Sequence, residues 1–253
     1  MQFVFDLDGT ICFKGQPISD RLVRSLKELT DKGHEVIFAS ARPIRDMLPV
    51  IHEDLHHYTM IGGNGSLIYK NREVIYARAF SATEIASIRR IITECEATYL
   101  IDGEWDYAYT GPETHAILQN VDPGKLAQLV GVDELETIVK ILLLTSNNFD
   151  RLATKLKELN VSIHTHRNEN VLDISPKGIH KWSALLELGV QKGNYIAFGN
   201  DANDLTMFEN ALYTVMIGHH DQLVYYSKEA IALTEDVEKK IEEKIREILQ
   251  KHL

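Results

Sequence analysis

The sequence predicts an α/β fold in which a parallel-sheet core is interrupted by an inserted α+β unit. Three observations predict it. Short apolar runs of the kind buried on both faces of a parallel sheet lie near both ends of the chain: Phe3-Val4-Phe5, Val36-Ile37-Phe38-Ala39 and Tyr195-Ile196-Ala197-Phe198. Segments with helical apolar spacing separate them, which argues for right-handed parallel crossovers. From Ser81 the pattern changes to two amphipathic helices among adjacent short strands, and it reverts near Lys181. With 253 residues, 44% of them hydrophobic, the chain has material for two packed units.

Each element follows from local signals. Gln2 to Asp6 reads as a buried strand. Ser19 is a helix N-cap, Leu22, Val23, Leu26 and Leu29 share a helical face, and Gly33 ends that helix. The strand Val36–Ala39 runs into Ser40-Ala41-Arg42, and Pro43 sits where a helix starts. Met60-Ile61 is a short strand before Gly62-Gly63-Asn64-Gly65-Ser66. Leu67 to Tyr69 and Val74 to Tyr76 form a hairpin turning at Lys70-Asn71.

In the inserted unit, Ser81 and Glu84 make a capping box ahead of Ile85, Ile88, Ile92 and Cys95. Strands Thr98 to Ile101 and Trp105 to Tyr109 follow, then a short helix near Lys125 to Val130. The strand Ile138 to Leu144, a helix marked by Phe149, Leu152, Leu156 and Leu159, and strands Val161 to His166 and Val171 to Ile174 complete it. Core-like elements then return. They are a helix Trp182 to Leu188, the strand Tyr195–Phe198, a helix through Leu205 and Phe208, a strand Tyr213 to Ile217 and a last helix from about Glu235. The expected division is a core of residues 1–80 and 179–253 around an insert of residues 81–178.

Composition narrows the function. The net charge of -10 and the lack of a basic block argue against nucleic-acid binding. No run of about 18 apolar residues suggests a membrane span. Two cysteines, Cys12 and Cys95, suggest neither a disulfide framework nor a zinc site, and a cytoplasmic location is expected.

The chemistry concentrates at strand ends. Asp6 and Asp8 close the first apolar run and are followed by Gly9-Thr10. A turn accounts for Asp8 and Gly9. It does not account for Asp6, because a central strand does not bury unpaired charge. Two other strands end in Ser40-Ala41-Arg42 and in Gly199-Asn200-Asp201-Ala202-Asn203-Asp204, and Lys181 opens the helix before the latter strand. Parallel strands put these ends on one rim, where open α/β sheets bind ligands. Carboxylates, a hydroxyl, backbone N–H groups and an ammonium together are what phosphoryl transfer requires.

Asp6-Leu7-Asp8-Gly9-Thr10, Ser40-Ala41-Arg42, Lys181 and the GNDANDLTMF run at 199–208 resemble the four motifs of the haloacid dehalogenase superfamily, in the right order and over nearly the whole chain. An insert placed between the second and third motifs resembles the C2-capped branch. Gly63-Asn64-Gly65 with Pro176-Lys177-Gly178 resembles its Cof-type sugar phosphatases. The resemblance implies a Rossmann-like core with a C2-type cap, a magnesium ion (Mg2+) and a small phosphorylated metabolite as substrate. It implies that Asp6 attacks phosphorus to give an aspartyl phosphate. It implies that Asp8 serves as acid and then base, and that Lys181 neutralises developing charge. Aspartate at position 8 favours hydrolysis, since long-lived aspartyl phosphates occur in relatives with threonine there.

Ser40, Ala41, Asn64 and Asn203 are expected at the substrate. Asp6, Asp8 and either Asn200 or Asp201 are expected at the metal, because the residue after the motif glycine is here asparagine where the family usually has aspartate. Asp204 is expected to orient Lys181 and metal-bound waters. A phosphomutase or phosphotransferase, or a non-catalytic binder of a phosphometabolite, is the alternative to a phosphatase.

Other polar and aromatic residues carry weaker expectations. Lys177 is read as a solvated hinge residue. Arg42 is read as a phosphate ligand or as the partner of a carboxylate. Trp105, Tyr107 and Tyr109 alternate on one strand face, either to stack on a sugar or ring or to pack on helices. His164 and His166 share a face and are read as solvent-facing, and His56-His57 as a polar loop.

Overall fold

The structure is a computed structural model that describes residues 1–165 and 171–252. Its first sheet has eight strands. In chain order the elements begin β1 (Gln2–Phe5), α1 (Asp20–Asp31), β2 (Glu35–Ala39), α2 (Ile44–Met47), β3 (Thr59–Gly62), β4 (Leu67–Lys70) and β5 (Glu73–Ala77). The chain then forms α3 (Ala82–Glu94), β6 (Thr98–Asp102), β7 (Tyr107–Tyr109), β8 (Lys140–Thr145), α4 (Phe149–Lys157), β9 (Val161–Thr165) and β10 (Leu172–Pro176). It closes with α5 (Lys181–Glu187), β11 (Tyr195–Gly199), α6 (Leu205–Phe208), β12 (Tyr213–Ile217), β13 (Glu229–Ile231) and α7 (Val237–His252).

The first sheet runs β13-β12-β11-β1-β2-β3-β4-β5. Its strands are parallel from β13 to β3, and β4 and β5 are antiparallel. The strand with Asp6 at its end is therefore central, flanked by the strands that end in Ser40 and Asn200. Phe5 is in register with both Phe38 and Phe198 and stacks on Phe198 at 4.7 Å. Leu22, Leu26 and Leu29 of α1 meet Ile241, Ile245 and Ile248 of α7 on one face. Ala184 and Leu185 of α5 with Met207 and Phe208 of α6 cover the other. Both faces are buried, which is why these strands read as continuous apolar runs.

The second sheet is antiparallel, in the order β7-β6-β8-β10-β9. Helices α3 and α4 pack on one face through Ile88, Ile92, Leu152 and Leu156. The other face carries Leu100, Leu142, Leu144 and Val171. The Ser81–Glu84 capping box forms as the sequence predicts, with Glu84 N at 3.2 Å from Ser81 Oγ and Ser81 N at 2.7 Å from Glu84 Oε2. The β4–β5 hairpin forms but turns on Asn71 and Arg72, one residue later than expected; both have the positive φ that tight hairpin turns require, and Lys70 ends β4.

Two local expectations are corrected and two are refined. Residues 125–130 form no helix. The Asp122 carboxylate accepts Leu126 N and Ala127 N, and the chain then runs along β7, with Tyr107 N donating to Gln128 O and Val130 N to Tyr107 O. Trp105 precedes its strand instead of joining it: its indole N–H donates to Leu126 O, and it packs on the core cluster. Ser19 stands at the N-cap of α1, but its hydroxyl donates to Glu238 Oε2 of α7 at 2.6 Å. The last helix starts at Val237. The expectation for His166 lies outside the described residues.

Candidate active site

Asp6 leaves the sheet one residue past β1. Its N–H still donates to Phe198 O at 2.9 Å. The chain then turns at once: Thr10, Ile11 and Cys12 all donate their N–H groups to Leu7 O, and Gly9 takes a φ of 79°. A Cβ on Gly9 would lie 2.2 Å from Asn200 Nδ2, so glycine is required both by conformation and by the closeness of the Asn200 loop. This turn separates the two carboxylates. Asp6 is buried, and Asp8 is exposed above it.

Two donors hold the Asp6 carboxylate. Thr10 Oγ1 donates to Oδ2 at 2.8 Å and Lys181 Nζ to Oδ1 at 2.6 Å. Lys181 also donates to Asp204 Oδ1 at 2.6 Å. Lysine at the first position of a helix opposes the helix dipole, so its placement serves the site and not α5. Asp204 uses its other oxygen to accept Asn200 N at 2.8 Å and Asp201 N at 3.1 Å, which fixes the loop. Burial pushes the Asp6 carboxyl up to about 7, Lys181 works against the rise, and the Asp204 charge adds to it. Burial alone would lower Lys181, but Asp204 and Asp6 outweigh it and raise it to about 12. One buried ammonium thus serves two buried carboxylates.

That imbalance is what a cation would relieve. Asn200 Oδ1 lies 3.3 Å from the Thr10 hydroxyl that also serves Asp6 Oδ2, so a carboxylate oxygen and an amide oxygen converge. These are hard oxygen donors, the type that magnesium prefers. No group of three or more His, Cys, Asp or Glu side chains suited to a metal occurs among the described residues. Asp201 is exposed. Its Oδ1 accepts Ala202 N at 2.7 Å as a cap and lies 3.4 Å from His220 Nε2.

The remaining expected residues gather around this pair. Asp8 meets Arg42 through two bonds of 2.7 Å. Ser40 is buried, and its Oγ accepts Arg42 N at 3.1 Å. Asn64, at a φ of 60°, donates its N–H to Ser40 O at 3.0 Å. Its side-chain amide meets Asn203 Nδ2 at 3.3 Å. A Cβ on Gly65 would lie 2.5 Å from His180 O, so this loop packs directly on the start of α5. Lys177 is exposed. Tyr107 lies under the Arg45 guanidinium at 4.7 Å, and the Tyr109 hydroxyl donates to Pro112 O.

Sequence reading did not single out Thr10, Arg45, Lys140 or Asp173. Thr10 stood inside the first motif. The other three are charged residues whose partners lie far along the chain. A cavity of about 270 Å3 opens beside Asp8 and Arg42, floored by Ala41 and Asp46 and roofed by Leu100, Leu142 and Lys140 of the second sheet.

The chain is similar to known proteins. Residues 3–251 match the model of the haloacid dehalogenase-like hydrolases. The Mycoplasma genitalium protein MG265 is 26% identical over 248 residues, which cover 85% of this chain and 86% of that one. The Bacillus subtilis 5-amino-6-(5-phospho-D-ribitylamino)uracil phosphatase YitU is 22% identical over 232 residues, 85% of each chain. Among solved structures, the HAD subclass IIB sugar phosphatase BT4131 superposes with a TM-score of 0.77 at 17% identity over 98% of both chains, a likeness of fold.

Proposed function

The chain belongs to the haloacid dehalogenase-like hydrolase family, and from that premise we propose that it is a magnesium-dependent phosphatase that releases phosphate from a small phosphorylated metabolite through Asp6. The observation that carries this reading is the placement of the two carboxylates. Asp6 is buried and held by Lys181, and Asp8 stands exposed at the mouth of the cavity.

In the proposed reaction Asp6 attacks phosphorus, and the bond from phosphorus to the ester oxygen breaks. Asp8 delivers a proton to that departing oxygen, then takes one from the water that attacks the phosphoryl group on Asp6. Free phosphate leaves and the Asp6 carboxylate is restored. Lys181 keeps Asp6 in line and counters the charge of the pentavalent state. Ser40 and the Ala41 N–H receive phosphoryl oxygens, and Arg42 orients Asp8. Magnesium, when bound, supplies positive charge against the phosphoryl oxygens. Asp6 and Asn200 would hold it, with the Asp8 main-chain carbonyl as the family resemblance implies. Asp201 is the less suitable donor because its carboxylate caps its own turn.

The cavity suits a leaving group of sugar size, and the names of the relatives point to the same scale of substrate. The test is product analysis with an aryl phosphate. Free phosphate, released only with magnesium and stopped by chelation, supports the reading. Transfer of the phosphoryl group to a second alcohol without free phosphate favours a phosphotransferase.

A further inference from the structure

The second sheet carries a buried ion pair that the proposed reaction does not use. Lys140, the first residue of β8, and Asp173, in β10, lie 3.1 Å apart, and both are almost fully buried. A buried ion pair is often no better for stability than hydrophobic residues of the same volume. Its partners point to another role. Lys140 Nζ reaches across to the first sheet's loops and donates to Ala41 O at 2.7 Å. Asp173 Oδ2 accepts Asn64 Nδ2 at 3.2 Å, and Asn64 N in turn donates to Ser40 O.

The Ala41 carbonyl and the Arg42 N–H belong to one planar peptide and point in opposite directions. Lys140 grips the oxygen of that peptide, while its N–H donates to Ser40 Oγ at 3.1 Å. With one lone pair of Ser40 Oγ taken by a backbone donor, the hydroxyl hydrogen is left to be aimed at another acceptor. In the proposed function that acceptor is a phosphoryl oxygen.

We propose that Lys140 is a positioning residue that acts from the cap through the Ala41–Arg42 peptide to orient the Ser40 hydroxyl, so that docking of the cap and the grip on phosphate are one linked event. Asp173 holds the Lys140 ammonium in place and ties the Asn64 loop to the same unit. This rests on the reading of Ser40 as a phosphate ligand.

The experiment is a double-mutant cycle read by calorimetric binding of inorganic phosphate in magnesium buffer, using Ser40→Ala, Lys140→Met and the double variant, with Lys140→Arg as the conservative change. Lys140→Met is expected to weaken phosphate binding about tenfold. The double variant is expected to bind like Ser40→Ala alone, because Lys140 acts through the hydroxyl that Ser40→Ala removes. Lys140→Arg, whose guanidinium still reaches a carbonyl, is expected to recover most of the affinity. If Lys140→Met does not fold, Lys140→Gln takes its place in the cycle. Losses that multiply across the cycle, unchanged binding by the Lys140 variant, or no phosphate binding by the unaltered protein would each overturn the proposal. A protein that binds phosphate and obeys the cycle but releases none from esters would instead overturn the assignment as a phosphatase.

Discussion

Arg42 meets Asp8 edge to edge, Nε to Oδ2 and Nη2 to Oδ1, each at 2.7 Å. The pair sits at the cavity mouth, with the Asp8 side chain about half exposed. Partly exposed pairs contribute roughly 0–1 kcal/mol to stability. The role proposed for Arg42 is therefore to orient Asp8 more than to stabilise the fold. Arg42→Met is expected to melt within a few degrees of the unaltered protein and to lose about tenfold or more in kcat as Asp8 loses its fixed geometry. Thermal melts beside aryl phosphate kinetics check this, and an unchanged kcat would show that Asp8 is oriented by something else.

Lys181 is the opposite case. It is fully buried between Asp6 and Asp204. Lys181→Met leaves two buried carboxylates without a counter-charge, at a cost of about 3–5 kcal/mol. Adding Asp204→Asn should restore part of the stability and none of the activity, since Asp6 still lacks its holder. Urea denaturation of the single and double variants measures the first effect, and phosphate release the second.

Gly9 and Gly33 separate strain from contact. Both have φ near 80°, but only Gly9 faces a neighbour, with Asn200 Nδ2 at 2.2 Å from a built Cβ against nothing within 4 Å for Gly33. Gly33→Ala should cost about 1–2 kcal/mol in backbone strain alone and leave magnesium activation unchanged. Gly9→Ala should also displace Asn200, so that more magnesium is needed for half-maximal activity. Equal magnesium requirements in the two variants would remove Asn200 from the metal site.

The pH response of stability has a defined sign at Asp46. Burial pushes this carboxyl from its ordinary 3.8 up to about 6, against the pull of Arg45 and with the help of the Asp102 charge. The unfolded chain releases this proton near 3.8, and the folded one holds it to about 6. Between these values the folded state binds more protons, so the contribution is complete below 3.8 and is lost as pH rises through 6. Asp46→Asn does not titrate and should gain on the unaltered protein by about 2–3 kcal/mol between pH 4 and 7. Parallel stability curves for the two proteins would remove Asp46 as the cause.

What the sequence disclosed is what neighbours in the chain decide. The strand Gln2–Phe5, the Ser81–Glu84 box and the Asn71 turn follow from periodicity and local hydrogen bonding. Asp6 and Ser40 were legible because parallel strands carry their ends to one rim, and Lys181 because the resembled motif has a lysine at that place. Residues 125–130 misled because the carboxylate of Asp122 takes backbone N–H groups that a helix would have used. Arg45–Asp102 and Lys140–Ala41 were hidden for another reason. Their partners are 57 and 99 residues apart, and only the docking of the second sheet on the first makes them neighbours.

The central claim is that Asp6 carries the phosphoryl group. Acid quenching during turnover of an aryl phosphate, followed by mass spectrometry of the amino-terminal peptide, tests it directly. The account predicts a phosphoryl group on Asp6 that is absent from Asp6→Asn, together with loss of phosphate release by that variant. Undiminished release by Asp6→Asn, with no peptide phosphorylated, would contradict it.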